Sequence, residues 1–181
     1  MIQIFLRSGA LALMFLLTSC GKQPIEAAIE KNDRGAVAEA VKAGADVNAT
    51  VDNGDTPLLL AVKTGQSSSA QALIEAGADI KVRDPSGNGA LHYAAQSGMT
   101  GICGLLIDRG IAVDDKGAGG ATPLQLAVQG GRQETAKYLV RRGASLELKD
   151  DASRSALDIA VRSGNTRLKN DLELAAKMRG N

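Results

Sequence analysis

Few residues in this chain of 181 have the type and spacing that chemistry needs. His92 is the only histidine, and a single imidazole without partner ligands at a usable spacing does not build a metal site. Asp114-Asp115 and Asp150-Asp151 are adjacent carboxylates, but no calcium-loop pattern surrounds either pair. We therefore expect solvated turns at both pairs rather than cation sites.

A glycine cluster is the other candidate for chemistry. Gly117, Gly119 and Gly120 resemble phosphate-loop glycines only superficially, because no Gly-Lys-Ser/Thr follows them, and we expect a loose β-turn there. No nucleophile stands beside a general base in the sequence. We predict that the protein is not an enzyme, needs no metal or cofactor, and has no small-molecule substrate.

The charge balance excludes a second set of functions. The chain has 21 Lys and Arg residues against 20 Asp and Glu residues, and only 2% of its residues are aromatic. Binding to nucleic acid, or recruitment to a lipid surface by charge, needs a basic excess. We therefore expect no nucleic-acid partner, and a core of aliphatic side chains.

An internal repeat organises the chain. One series of leucines and two series of glycines each recur every 33 residues, with no insertion between them. The leucines are Leu58, Leu91, Leu124 and Leu157, and the glycines are Gly65, Gly98, Gly131 and Gly164, then Gly44, Gly77, Gly110 and Gly143. A period of this length predicts stacked units that bury their faces against their neighbours, so the chain is a solenoid.

The residues inside the period resemble the ankyrin repeat. Units open on Thr56-Pro57-Leu58 or Thr122-Pro123-Leu124, with Gly89-Ala90-Leu91-His92 and Ser155-Ala156-Leu157 as weaker versions; the stretch Gly44-Ala45-Asp46-Val47-Asn48 closes a unit. The resemblance covers roughly residues 24–178. It implies an all-α ankyrin-repeat solenoid of helix–turn–helix units joined by β-turn fingers. The domain would span 24–181, with one capping unit and four repeats at about 52–83, 84–116, 117–149 and 150–178.

Local signals support this interpretation. Thr56, Thr122 and Ser155 can each cap a helix N-terminus, and a glycine with positive φ can end the first helix of a unit. The second helix of the third repeat is predicted over 134–142. The segment 24–41 predicts a half-unit in which Asn32 takes the place of the turn glycine.

Position in the repeat also assigns roles to three side chains. In the family, the residue at the position of His92 ties neighbouring turns together by hydrogen bonds, and the resemblance implies the same role here. Cys103 has alanines as its repeat equivalents and neighbours Ile102, so we expect a small buried hydrophobe rather than a redox sensor. Lys169 is polar at the position where the preceding unit has the apolar Ala136. A polar residue is expected there in a last helix with nothing stacked beyond it.

The first 23 residues differ from the rest. Arg7 precedes an apolar run at 10–17 that is too short to span a bilayer but suits a signal peptide. Leu17-Thr18-Ser19-Cys20-Gly21 then resembles a bacterial lipobox, which implies a signal peptide at 1–19, a lipid on Cys20 and a short tether at 20–23. An ordinary secretory signal or a core helix is the alternative.

Binding is the function that remains. In ankyrin proteins, the partner usually lies against the concave face made by the finger tips and the first helix of each unit. The pattern assigns to this face Asp52, Asn53, Asp55, Lys63, Arg83, Ser86, Asn88, Gln96, Lys116, Ala118, Ala121, Gln129, Lys149, Asp151, Arg154 and Arg162. Acids gather toward the first repeat and bases toward the last, so we expect a protein partner of mixed or mildly acidic character. Trp and Tyr, the usual anchors, are missing unless Tyr93 is exposed.

Three functions fit such a protein. The first is a membrane-tethered envelope adaptor that binds another protein. The second is an immunity protein or inhibitor against a toxin that acts in the periplasm, and the third is a protective accessory to an envelope enzyme. We expect a lipid-anchored protein that faces the periplasm, at the outer rather than the inner membrane, because Gly21 is not the aspartate that often retains lipoproteins at the inner membrane.

Overall fold

The computed structural model describes residues 24–51 and 54–179, which fold into ten α-helices in five antiparallel pairs. The helices are α1 (Pro24–Glu30), α2 (Arg34–Lys42), α3 (Pro57–Lys63), α4 (Ser67–Glu75), α5 (Ala90–Ser97), α6 (Thr100–Asp108), α7 (Pro123–Gln129), α8 (Gln133–Arg141), α9 (Ala156–Arg162) and α10 (Thr166–Arg179). We call α3, α5, α7 and α9 the inner helices and their partners the outer helices. Each pair packs on the next along the chain, which confirms the all-α solenoid.

The segments between successive pairs form the fingers. They contain one 3₁₀ turn, Ala118–Gly120, and within the described residues their only β-bridge joins Arg83 to Gly89. The signal peptide, Cys20 and the tether lie outside the described residues, as do Asp52 and Asn53. In the part that the structure covers, no helix has the length and apolar character needed to cross a membrane.

Side-chain caps begin three of the inner helices, as predicted. The hydroxyl oxygens of Thr56, Thr122 and Ser155 accept hydrogen bonds from the amides three residues later, at 3.4, 3.3 and 3.2 Å. Pro57 and Pro123 follow at a helix position where no amide donor is needed. Such a cap contributes about 1 kcal/mol to stability.

The repeating leucines form the core. Leu58, Leu91 and Leu124 are fully buried. Among the described residues no repeat is stacked on the final unit, and there Val161 is 50% exposed although its equivalent Val128 is 3% exposed. In the same unit, Lys169 is half-buried, and its Nζ lies 3.4 Å from Oε1 of Glu173. These side chains give the last helix the polar end face that we expected.

Polar side chains reach from one repeat to the next. His92 is completely buried; its Nδ1 accepts from the amide of Gly89, and its Nε2 donates to the carbonyl of Asp115 at 3.0 Å. One repeat later, Gln125 accepts from the amide of Thr122 and donates to two carbonyls of the next finger. The implied role of His92 is confirmed, and a glutamine performs the same role where the family motif has histidine.

A second series of bonds fixes the loops that follow the outer helices. The amide of Asp79 donates to Oδ1 of Asn48 at 2.8 Å, and the amide of Ser145 donates to Oδ1 of Asp114 at 3.0 Å. At the capping unit, Asn32 has φ 50° and its Oδ1 accepts from two amides at the start of α4. Sequence reasoning predicted the turn at Asn32 but missed this bond.

Two expectations about the fingers were wrong in part. Asp151 is exposed in a turn as expected, but Asp150 is buried, and Asp114 accepts a hydrogen bond from the amide of Ser145 in the next unit. The glycine cluster is not a loose turn. A Cβ on Gly117 would lie 2.6 Å from the His92 ring, so only glycine lets this finger approach so closely.

Cys103 behaves as predicted. Its side chain is completely buried, and this burial raises the pKa of the thiol to about 12. The thiolate that redox chemistry requires is therefore scarce at neutral pH. The second helix of the third repeat is also confirmed, one residue earlier than predicted, at Gln133–Arg141.

His92 should make stability depend on pH. Burial lowers its pKa below the ordinary value of 6.5, an effect that Asp115 partly opposes. The neutral ring therefore stabilises the fold fully above pH 6.5, and this contribution is lost as the pH falls from there through the lower folded pKa. We expect the thermal midpoint to fall between pH 7 and pH 5 in the wild type. His92→Gln, which copies the bonding of Gln125, should remove most of that fall. An equal fall in both proteins would contradict this assignment.

Candidate partner-binding surface

An apolar stripe runs along the inner helices. One half-buried side chain stands at the same position of each, two residues after the repeating leucine: Leu60, Tyr93, Leu126 and Ile159. The spacing of 33 residues was visible in the sequence, but sequence reasoning did not assign these residues to the surface. Tyr93 therefore supplies an aromatic group in the middle of this stripe, where interfaces commonly place an anchor.

Lys63 shows that a finger and the inner helices share one surface. Its Nζ lies 2.7 Å from Oδ1 of Asp55 and 3.3 Å from Oδ2 of Asp84, which belongs to the next finger. The same ammonium lies 5.1 Å from the centre of the Tyr93 ring, and the Tyr93 hydroxyl donates to Asp84. Equivalent positions in later repeats therefore also combine a finger with two neighbouring inner helices.

The charges of this cluster stabilise one another. Burial opposes the charge on Lys63, but hydrogen bonding to Asp55 and the negative charges nearby outweigh it and raise the pKa of the ammonium. Burial likewise acts to raise the pKa of Asp84, yet bonds from Tyr93, the Asn88 amide and Lys63 hold it below its ordinary value. Burial and the bond to Asp84 raise the pKa of Tyr93, so its hydroxyl stays protonated. The cluster is thus one ammonium between two carboxylates, with a neutral phenol bonded to one of them.

Arg83 holds two fingers together. Its guanidinium donates to the carbonyl of Gly87 at 2.6 Å, to the carbonyl of Lys116 at 3.0 Å and to the carboxylate of Asp115 at 2.6 Å. The sequence assigned Arg83 to the concave face, and the structure shows that its guanidinium also bridges two repeats.

Arg154 is also committed to structure. Its guanidinium lies 2.7 Å from Oδ2 of the buried Asp150, and its amide donates to the same carboxylate at 2.9 Å. The side-chain bond from Arg154, followed by its backbone bond, lowers the pKa of Asp150. Asn88, at the equivalent position two units earlier, bonds differently: its Oδ1 accepts a hydrogen bond from the amide of Ala118 at 2.9 Å.

The predicted set therefore divides in two. Asp55, Lys63, Arg83, Asn88 and Arg154 make the contacts described above, and Asp55 is only 7% exposed. The exposed members are Ser86, Gln96, Lys116, Gln129, Lys149, Asp151 and Arg162, while Ala118 and Ala121 are half-buried. The sequence placed the acids and bases in the right repeats but could not show which of them neutralise each other.

The described residues hold no group of three or more His, Cys, Asp or Glu side chains that could bind a metal ion. Their grooves are open to solvent, and one of about 320 Å³ lies between two loops, beside Arg83, Gly89 and Asp115. The candidate surface is thus a broad strip with an apolar centre and a polar rim, an arrangement typical of protein interfaces.

The comparison with protein families agrees with this architecture. The family model for ankyrin repeats (3 copies) matches residues 2–84, 25–117 and 91–170. The chain belongs to the ankyrin-repeat family, whose repeats serve as protein-interaction modules. No curated protein resembles the chain closely enough to count as a match.

Arg83→Glu should destabilise the fold, because it removes an ion pair and a hydrogen bond between two fingers, removes a hydrogen bond within its own finger, and places two carboxylates together. We expect a loss of about 1–3 kcal/mol in the free energy of unfolding. Lys116→Glu is the matched control: it makes the same charge reversal one repeat later, where the side chain contacts only the carbonyl of Lys149, at 3.3 Å. Thermal melts of both variants test this, and equal midpoints would contradict the bridging role of Arg83.

Proposed function

We propose that this protein is a membrane-tethered adaptor of the bacterial envelope, which binds a protein partner through its concave face. The observation that carries the proposal is the stripe of Leu60, Tyr93, Leu126 and Ile159, bordered by exposed polar side chains. Half-buried apolar side chains at four successive repeats give a long strip that a protein chain can cover and a small molecule cannot.

Rigid fingers support this role. The hydrogen bonds of His92, Gln125 and Arg83 fix the fingers that follow the first, second and third repeats before any partner arrives. A preorganised surface loses less conformational entropy on association, which leaves more of the contact energy for affinity. The concave face therefore suits binding better than the outer helices do.

The lipobox-like sequence before Pro24 supports tethering. Helix α1 begins at Pro24 and already buries Ile25 and Ile29, so three residues separate Cys20 from the first described helix. Those three residues reach about 10–11 Å when extended. A lipid on Cys20 would hold the capping unit near the bilayer, and we infer a partner that is membrane-associated or works close to the membrane.

Cys20→Ala tests the tether. Several acyl chains, each contributing about 0.8 kcal/mol per buried CH₂, would anchor the wild type firmly. The variant should lose its lipid and move from the detergent phase to the aqueous phase on phase separation. Cys103→Ala is the control, since this buried thiol has no part in anchoring. A Cys20→Ala protein that still fractionates with membranes would contradict the lipoprotein assignment.

Site-specific photo-crosslinking in cells tests the binding face. A photoreactive amino acid at Gln96 or Gln129, both exposed beside the apolar stripe, should give an adduct with a discrete partner protein. The same group at Arg141, exposed on outer helix α8, should give little or none. Adducts from Arg141 alone would place the partner on the convex side.

The identity of the crosslinked protein also separates the functions considered above. A toxin would support the immunity or inhibitor role, and a scavenging enzyme would support the protective accessory. A structural protein of the envelope would support the adaptor.

A further inference from the structure

One series of hydrogen bonds between successive units is interrupted at a single unit. The amide of Asp79 donates to Oδ1 of Asn48 at 2.8 Å, and the amide of Ser145 donates to Oδ1 and Oδ2 of Asp114 at 3.0 and 3.2 Å. Ala112 occupies the equivalent position of the unit between them. Among the described residues, no protein atom accepts a hydrogen bond from its amide.

The residue across from this amide explains the interruption. Asn48 and Asp114 each present a side-chain oxygen, but Lys81 stands between them at the equivalent position and carries only N–H donors. In the neighbouring units the amide points at this position of the preceding unit, so the repeat directs the amide of Ala112 toward Lys81. Two donors are therefore brought together where the neighbouring units pair a donor with an oxygen acceptor.

A cavity lies at this junction. Its volume is about 320 Å³, and both Lys81 and Ala112 line it. The half-buried side chains of Ile80 and Ile111 supply apolar walls. Ile111 stands where the other units have alanine, so this unit departs from its neighbours at three positions that border one cavity.

The charged groups around the cavity leave one ammonium without an ion-pair partner. Arg83 and Asp115 also line it, but they lie 2.6 Å apart and neutralise each other. Asp79 turns its Oδ1 to the backbone amide of Lys81, at 2.9 Å. Among the described residues, no carboxylate lies within ion-pair distance of the exposed Lys81 ammonium. Asp79 still lowers the local positive potential, so the amide and the acceptors of the neighbouring units, rather than net charge, define what fits here.

We propose that this cavity binds a carboxylate carried on a short aliphatic chain. One carboxylate oxygen accepts from the amide of Ala112, as the carboxylate of Asp114 accepts from an amide one unit later, and the other accepts from the ammonium of Lys81. The aliphatic carbons lie between the two isoleucines. The residues of the apolar stripe do not line this cavity, so the proposal stands or falls apart from the proposed function.

The two donors favour a carboxylate over a neutral acceptor. Hydrogen bonds in which one group or both are ionised are about twice as strong as neutral ones. A carboxylate also has two oxygens, so it can satisfy the amide and the ammonium at once. A glutamate side chain of a protein partner and a free short-chain acid both carry this chemistry.

Titration of the full chain with propionate, followed through single amide signals by NMR, tests the site. Propionate has the carboxylate and the two methylene-type carbons of a glutamate side chain. The amide signal of Ala112 should shift and saturate, whereas that of Ser145, which is already bonded to Asp114, should stay in place. Propionamide with sodium chloride, at matched concentration and ionic strength, is the control ligand and should not produce the saturable shift.

The photo-adduct at Gln96 distinguishes the two sources of the carboxylate. Lys81→Asn copies Asn48 and places an oxygen of the chain itself on the amide of Ala112. If this variant lowers the adduct yield in cells, the carboxylate belongs to the protein partner. If the yield is unchanged while propionate still binds the wild type, the ligand is a free acid.

Substitutions at Lys81 also decide whether the site exists. Lys81→Asn should abolish the saturable shift of Ala112, and Lys81→Ala should weaken propionate binding by roughly twofold to fivefold, the effect of one exposed ion pair. Lys177→Ala is the matched control, because it removes an exposed charge from outer helix α10, and it should bind propionate as the wild type does. No shift at Ala112, an equal shift with the control ligand, or wild-type binding by Lys81→Asn would each overturn the proposal.

Discussion

The hydrogen bonds that pass from one repeat to the next are the constraint on which this surface depends. A stack of short helix pairs buries its leucines in any orientation that keeps the pairs in contact, but a finger has no core of its own. His92 and Gln125 determine where the fingers lie. Each side chain is buried, accepts a hydrogen bond from a backbone amide of its own unit, and donates a hydrogen bond to a carbonyl in the finger of the next unit. An unmade bond at such a buried group costs about 1–3 kcal/mol, so the arrangement is strongly favoured.

The same constraint explains the charge pattern. Once the fingers are fixed, Arg83 can reach Asp115 and Lys63 can reach Asp84. Among the described residues, Lys116 and Lys149 have no carboxylate within ion-pair distance, although Lys149 acts electrostatically on Asp158. Which charges of the face are paired therefore follows from packing between units, and the composition of the whole chain does not reveal it.

Sequence predicted the fold well because the fold is periodic. The leucine and glycine series, the caps at Thr56 and Thr122 and the role of His92 each depend on position within one unit, which a single sequence displays. The ion pairs could not be predicted in the same way. Lys63 and Asp84, or Arg83 and Asp115, belong to different units at separations that are not multiples of the repeat, so no periodic signal marks them. The apolar stripe is a different case: its period was present in the sequence, but exposure decides its meaning, and exposure requires the structure.

Hydrogen exchange of single amides tests most directly whether side chains of one repeat hold the loops of the next. The amides of Asp79 and Ser145 donate to Asn48 and Asp114 of the preceding unit. Ala112 is the equivalent residue of the repeat between them, and there the preceding unit has Lys81, whose side chain has no acceptor atom. We expect the amides of Asp79 and Ser145 to exchange at least about tenfold more slowly than the amide of Ala112, since each bond must open before exchange. Equal exchange rates at all three amides would contradict it.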